Sequence, residues 1–345
     1  MSRTIPEMFD LCCRKHEFKV LFERPGQSQI TYGEAQDLAL RFATVLLDLG
    51  VSPGDRVAVQ VDKSAEAVLL YLACLRTGAL FLPLNTSYTG AEIDYFLGDA
   101  EPRLFVCSPR MLDQNSRYAS PALAVESLGA EGDGTLMDRV AGAAPARTQV
   151  SRSATDPAAI LYTSGTTGRS KGAVLTHGNL VSNTMALNVA WRFDSTDRLI
   201  HALPIFHTHG LFVACNMALT AGATMIFLTG FNVDQVIDEM ANATVLMGVP
   251  TFYTRLLSSP RLDRDATRSM RLFVSGSAPL LQDVHTQFFC TDRPRDPRAL
   301  RYDRNLHDCF EPLRWGAPNR GRGVSTDRCG DQDHRPRDAR ACCLW

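Results

Sequence analysis

The chain has 345 residues, enough for about two or three domains with sizeable cores. Its 36 basic and 37 acidic residues leave a net charge of −1, so no overall field favours nucleic acid or an anionic membrane. Ten cysteines without framework spacing, and a start with no long apolar segment, argue against a disulfide scaffold or a secretory signal and for a reducing, cytoplasmic setting.

In chain order, Ile30-Thr31-Tyr32 leads into an amphipathic helix from Gly33 to Gly50, with apolar positions at Ala35, Leu38, Ala39, Phe42, Leu46 and Leu49. Pro53-Gly54-Asp55 is a turn and residues 56–61 a strand. Ser64 begins a helix, and residues 80–84 form the next strand. The apolar stretch from Ala65 to Leu84 carries Glu66, Arg76 and Gly78, so it reads as a buried helix, a turn and a strand rather than a membrane span. A Gly/Ala-rich segment, Ser127 to Thr155, is expected to be surface linker. Strands are expected at residues 199–203, 225–228, 245–249 and 272–275, with helices between them, as at Val233 to Asn242. Such alternation implies α/β architecture with mainly parallel sheets.

The densest chemistry lies at Ile160 to Leu175. A buried-strand pattern runs into Thr163, Ser164, Gly165, Thr166, Thr167 and Gly168, closes on Lys171, and is followed at once by a second apolar run. Glycines let backbone N–H groups approach a ligand, hydroxyls add donors, and Lys171 adds a positive charge, a combination suited to a polyphosphate. It is not a Walker loop, because a strand follows where a helix should open.

This string closely resembles the phosphate loop of the adenylate-forming superfamily, which includes acyl-CoA synthetases and luciferases. Residues 30–289 are most similar to malonyl-CoA synthetases. The resemblance implies the large α/β N-terminal domain of those enzymes, with layered sheets and helices, at residues 1–289. It also implies ATP, Mg²⁺ and CoA as cofactors or co-substrates and a small carboxylic acid as the remaining partner, with no nucleic acid and no membrane span. In Leu203 to Leu211, two histidines follow a strand end; the resemblance places His207, ahead of His209, near the reacting phosphorus. Ser275, Gly276, Ser277, Ala278 and Pro279 resemble the loop that packs against adenine. Arg255, read alone, is a surface helix residue; by the resemblance it meets the second carboxylate of a diacid. In that role the guanidinium is expected to be a buried cation, and leaving it unpaired would cost roughly 3–5 kcal/mol, excluding monocarboxylic fatty acids.

From residue 290 the character changes. These 56 residues hold 12 arginines and five cysteines, and they lack any periodic apolar run, so a disordered tail is expected. Family members instead continue with a Tyr-Gly-x-Thr-Glu motif that helps bind Mg²⁺, a ribose-binding aspartate and a small C-terminal domain; none is legible here, and no metal ligands are assigned. Codons for Cys290 to Asn305, read one nucleotide later, permit ARTGHAILERYGMTET, which contains the missing motif. Continuing through Trp315 permits MIASNPYDG, and Arg328 to Asp338 permits GVEIRITDPET. We read this as a slipped frame near Phe289. The function implied is conversion of ATP, malonate and CoA to malonyl-CoA, AMP and diphosphate through an acyl-adenylate, impaired in this chain. The alternatives are a synthetase for another short or medium acid, and a non-catalytic ATP-binding or interaction remnant.

Overall fold

The computed structural model describes residues 4–146, 150–163 and 169–292. Its strands are β1 (Val20–Glu23), β2 (Ile30–Thr31), β3 (Arg56–Gln60), β4 (Leu80–Pro83), β5 (Leu104–Cys107), β6 (Ala124–Ser127), β7 (Pro157–Thr163), β8 (Lys171–Thr176), β9 (Arg198–His201), β10 (Thr224–Phe227), β11 (Val245–Gly248) and β12 (Leu272–Ser275). They form two six-stranded sheets. The first runs β12-β11-β9-β10-β1-β2 and the second β6-β5-β3-β4-β7-β8. Pairing is parallel except at β1/β2 and β7/β8, as strands joined through crossover helices require.

Alternating side chains on each strand feed different cores. Leu199, Met225, Val245 and Val274 of the first sheet and Val57, Val59, Phe81 and Val106 of the second face a shared central core. That core also takes in the helices Ile5–His16, Tyr32–Asp48 and Ala65–Thr77. On the outer faces, Ile200, Ile226, Leu246 and Phe273 pack under Val233–Met240, Pro250–Leu257 and Gln282–Asp292. Ala58, Leu82 and Phe105 pack under Gly90–Ala100. The result is helix, sheet, helix, sheet, helix.

The Ala65–Thr77 helix shows why the charged interruptions in its sequence do not break it. All 13 residues are buried, and Ser64 caps its start by accepting from the Ala67 N–H. Glu66 pairs with Arg24 at 3.1 Å and Arg76 with Asp10, so neither charge is left alone. Among the described residues no helix is long and apolar enough to cross a membrane. The five cysteines whose side chains are described are free.

The Tyr32–Asp48 helix starts one residue earlier than its sequence pattern suggests, because Thr31 and Glu34 form a capping box. The expected linker from Ser127 to Thr155 is corrected more substantially. Thr135–Gly142 is a helix whose Leu136 and Val140, four residues apart, are buried in the central core. The short run of glycines and alanines masked that spacing. Residues 293–345, where the tail was expected, lie outside the described residues, and the Gln282–Asp292 helix runs across the 289/290 boundary.

Candidate active site

The phosphate-loop motif folds as the antiparallel β7–β8 hairpin. Tyr162 faces Gly172 and Thr163 faces Lys171 across the ladder, so hydroxyl and ammonium stand opposite each other at its open end. Both are exposed. Ser164, Gly165, Thr166, Thr167 and Gly168 lie outside the described residues. The base of the hairpin is held by an aromatic group: Ile160 and Tyr162 pack with Tyr88, Tyr95 and Phe96. Tyr95 donates from its hydroxyl to the Ser170 carbonyl at 2.8 Å, and the Arg169 guanidinium lies 5.8 Å from the Tyr95 ring. These contacts give Tyr95, legible in the sequence only as part of a family-like string, a physical role.

The histidine segment leaves β9 and closes on itself in the first turn of the π-helix His209–Cys215. A Cβ on Gly210 would stand 2.0 Å from the Pro204 carbonyl oxygen, so only glycine permits this closure. His201 Nε2 lies 2.8 Å from the Gly210 carbonyl, an acceptor only, which places the ring proton on Nε2. Mid-chain π-helical turns are uncommon and concentrate at functional sites.

The closure separates the two candidate histidines. His207 is exposed, its ring 4.8 Å from Phe206, yet partial desolvation still pushes its pKa below the ordinary value. His209 is 3 % exposed, and neither ring nitrogen has a partner among the described residues. Burial pushes its pKa down to about 4. Its ring lies against Gly276, where a Cβ would meet Cε1 at 2.9 Å and Nδ1 at 3.0 Å. The structure therefore brings His209, the histidine ranked second from sequence, onto the loop that resembles the adenine border. No sequence signal separates the two; only the turn does.

That loop begins where β12 ends. Ser275 is buried with an unpartnered Oγ, the Gly276 N–H donates to Gly248 at 3.0 Å, and Ser277 takes a left-handed φ of 68°. Ser277, Ala278 and Pro279 are exposed. The Phe252 ring packs on Gly248 and stacks on Phe231 with centroids 3.8 Å apart. The Arg255 guanidinium sits 5.0 Å from the Phe231 centroid. A continuous chain of contacts thus runs from His209 through Gly276, Gly248, Phe252 and Phe231 to Arg255. Arg255 is exposed and makes no ion pair among the described residues. The large penalty reserved for a buried unpaired cation does not apply to it, so any selection of a diacid rests on attraction.

Sequence reasoning missed Lys63. It falls between the expected strand at 56–61 and the helix begun at Ser64, and it donates 2.7 Å to the His201 carbonyl across the two sheets. Only the tertiary pairing reveals it.

Three buried histidines set an acid limit. Burial pushes His177, His201 and His209 below the ordinary imidazole value. Between their unfolded and folded values the unfolded chain binds protons the fold refuses, so stability falls as pH drops. His209→Phe is expected to reduce the loss between pH 7 and pH 4 by about 3 kcal/mol, the equivalent of its displacement, read from urea midpoints. Identical pH dependence in variant and parent would contradict this burial cost.

As for Mg²⁺, no group of three or more His, Cys, Asp or Glu side chains among the described residues is placed to hold a metal ion. The described donor set is hydroxyls, imidazoles, an ammonium and a guanidinium, which does not fit that cation, and no step below is routed through it.

Comparison with known proteins bears on the family and the fold. The model of the AMP-binding enzyme family matches residues 9–294. Feruloyl-CoA synthase of an Amycolatopsis species is 31 % identical over 271 residues, spanning 77 % of this chain and 52 % of that protein. The malonate–CoA ligase of Arabidopsis thaliana is 30 % identical over 325 residues, spanning 78 % of this chain and 50 % of its own length. The crystal structure of ATP-bound MatB from Rhodopseudomonas palustris superposes with a TM-score of 0.80 at 52 % identity, covering 84 % of this chain and 58 % of that one. The chain spans about half the length of the curated relatives it matches. Its layered sheets are those of the N-terminal domain of adenylate-forming enzymes, and the chain belongs to the AMP-binding enzyme family.

Proposed function

We propose that this chain carries the nucleotide- and acid-binding half of an AMP-forming acid–CoA ligase whose acid is malonate. In the complete reaction a malonate oxygen bonds to the α-phosphorus of ATP as the bond to pyrophosphate breaks. The CoA sulfur then displaces AMP to give the thioester. The first step needs mainly positioning and charge neutralisation. Thr163 and Lys171, with the intervening Ser164 to Gly168, hold the departing pyrophosphate. Ser275 to Pro279 border adenine, and His207 and His209 line the passage to the carboxylate. Arg255 pairs with the second carboxylate.

The observation that carries the malonate reading is Arg255: an exposed guanidinium without a carboxylate, mounted on a stacked aromatic pair that continues to His209. The 52 % identity to MatB supports it. Other relatives are a feruloyl-CoA synthase and an oxalate–CoA ligase, which support the broader reading of an acid–CoA ligase of another specificity. The family match ending at residue 294 supports the slipped-frame reading, and resequencing the codons for Phe288 to Thr291 tests it.

The chain as it stands is expected to bind ATP but to release no malonate-dependent pyrophosphate, whereas the frame-restored version releases it. In that version Arg255→Ala is expected to raise the KM for malonate by roughly 10- to 100-fold, the worth of a charge-assisted pair. A monocarboxylic acid should be turned over as before. Unchanged malonate kinetics would shift the assignment to another acid.

A further inference from the structure

Lys63 is a buried-side cation that the reaction above does not use. It leaves the carboxyl end of β3 in the second sheet and ends in the first. Nζ donates 2.7 Å to the carbonyl of His201, the last residue of β9, and lies 4.4 Å from the centroid of Phe227, the last residue of β10. The same His201 carbonyl accepts the Leu228 N–H at 3.1 Å, while the His201 ring holds the Gly210 carbonyl. One residue thus fastens both ends of the histidine segment: its carbonyl to Lys63, its imidazole to the closure at Gly210.

What Lys63 lacks is a counterion. Its sequence neighbours are engaged elsewhere, Asp62 with Arg110 at 3.3 Å and Glu66 with Arg24 at 3.1 Å. No carboxylate lies within ion-pair distance of it among the described residues. The titratable groups facing the cluster from the first sheet and the π-helix are His201, His209 and Cys215, and Cys215 Sγ stands 3.3 Å from His201 Nε2. None of them is an anion near neutrality, since burial pushes the Cys215 thiol up to about 12 and holds both imidazoles neutral.

We propose that Lys63 is a positioning residue whose ammonium clips the carboxyl ends of the two sheets together and holds the histidine loop, residues 202–210, and that its deprotonation releases that hold. Only the charged form makes both a charge-assisted hydrogen bond and a cation–π contact. Although Lys63 as a residue keeps partial exposure, desolvation around its ammonium pushes the pKa down to about 7. The hold therefore changes within the physiological range. Global stability runs the other way. The folded value lies below the ordinary 10.5, so the unfolded chain binds the extra proton between pH 7 and 10.5, and this site adds stability as pH rises through that window. Local loosening accompanied by global stabilisation distinguishes this device from a plain structural lysine.

The inference concerns how the loop is held and stands whether or not the chain binds ATP. Its test is hydrogen exchange of residues 202–211 in the full chain at pH 6.0 and 8.5, corrected for intrinsic rates. Protection in the parent is expected to fall about five-fold at the higher pH, the difference between a charge-assisted and a neutral hydrogen bond. Lys63→Arg, which stays charged, should keep the loop protected at both values, and Lys63→Met should leave it unprotected at both. Protection of the fully buried Ala65–Thr77 helix, which exchanges through global unfolding, should instead rise over the same interval, as the global stabilisation requires. Loop protection in the parent that is independent of pH would overturn the proposal, and so would a Met variant as well protected as the parent at pH 6.0. The parent measurement decides the matter even where a variant fails to fold.

Discussion

Lys171→Ala is expected to weaken ATP binding by roughly 30- to 150-fold, about 2–3 kcal/mol, while leaving the melting temperature unchanged. The two halves of this expectation have separate causes. Lys171 is exposed at the open end of the hairpin and makes no ion pair among the described residues, so the fold loses nothing when its ammonium goes. It stands opposite Thr163 across the ladder, where the chain leaves for the hydroxyl- and glycine-rich connection, so on the proposed reading a triphosphate held there would lose a cation. Calorimetric titration of ATP into parent and variant checks the affinity, and a thermal melt checks the fold. Equal affinities would remove this hairpin from the nucleotide site. Lys171→Arg should retain part of the affinity, because the charge survives while the geometry of its donors changes.

Gly210→Ala is expected to cost more than 3 kcal/mol of stability and to disorganise the histidine segment. The added Cβ would stand 2.0 Å from the Pro204 oxygen and 2.9 Å from its carbon, both backbone atoms that cannot swing aside as a side chain could. Relief requires opening the closure, which breaks the His201 imidazole bond to the Gly210 carbonyl and shifts the buried π-helix behind it. Overpacked cores typically lose about 1–3 kcal/mol; a clash with backbone at this separation lies at or beyond the upper end. Urea denaturation measures the loss, and an unchanged midpoint would show that the segment closes differently. His209→Phe offers a contrast, because it removes the ring nitrogens and adds one ring atom without touching the backbone closure.

Much of this architecture is legible in the chain because its signals are local. Ser64 ahead of an apolar run, and the apolar spacing from Ala35 to Leu49, announce helices by groups a few residues apart. Short apolar runs such as residues 225–228 and 245–248, all buried once folded, announce parallel strands. The phosphate hairpin is equally local, since strand, hydroxyls, lysine and second strand are consecutive. What escaped notice depends on distant pairings. The partner of Lys63 lies 138 residues away, and the glycine that admits the His209 ring is residue 276. Nothing in Pro-Ile-Phe-His-Thr-His-Gly tells which imidazole turns inward, because both are followed by the same closure. Arg255 was identified as a candidate from resemblance, but its exposure, and hence the size of the selectivity it can provide, comes only from the folded chain. The 127–155 stretch was misjudged because three apolar residues in a small-residue background carry too weak a period.

The interior position of β1, between β10 and the edge strand β2, bears on synthesis. Phe22 and Glu23 pair with Met225 and Ile226, so a strand made among the first two dozen residues has its parallel neighbour about two hundred residues later. At translation rates of about 5–20 residues per second, the edge of β1 that faces β10 waits roughly 10–40 s for its partner, while β2, made within the next ten residues, can cover only the other edge. Leu21 and Phe22, both destined for full burial, stay available to chaperones or to sticky neighbours throughout that interval.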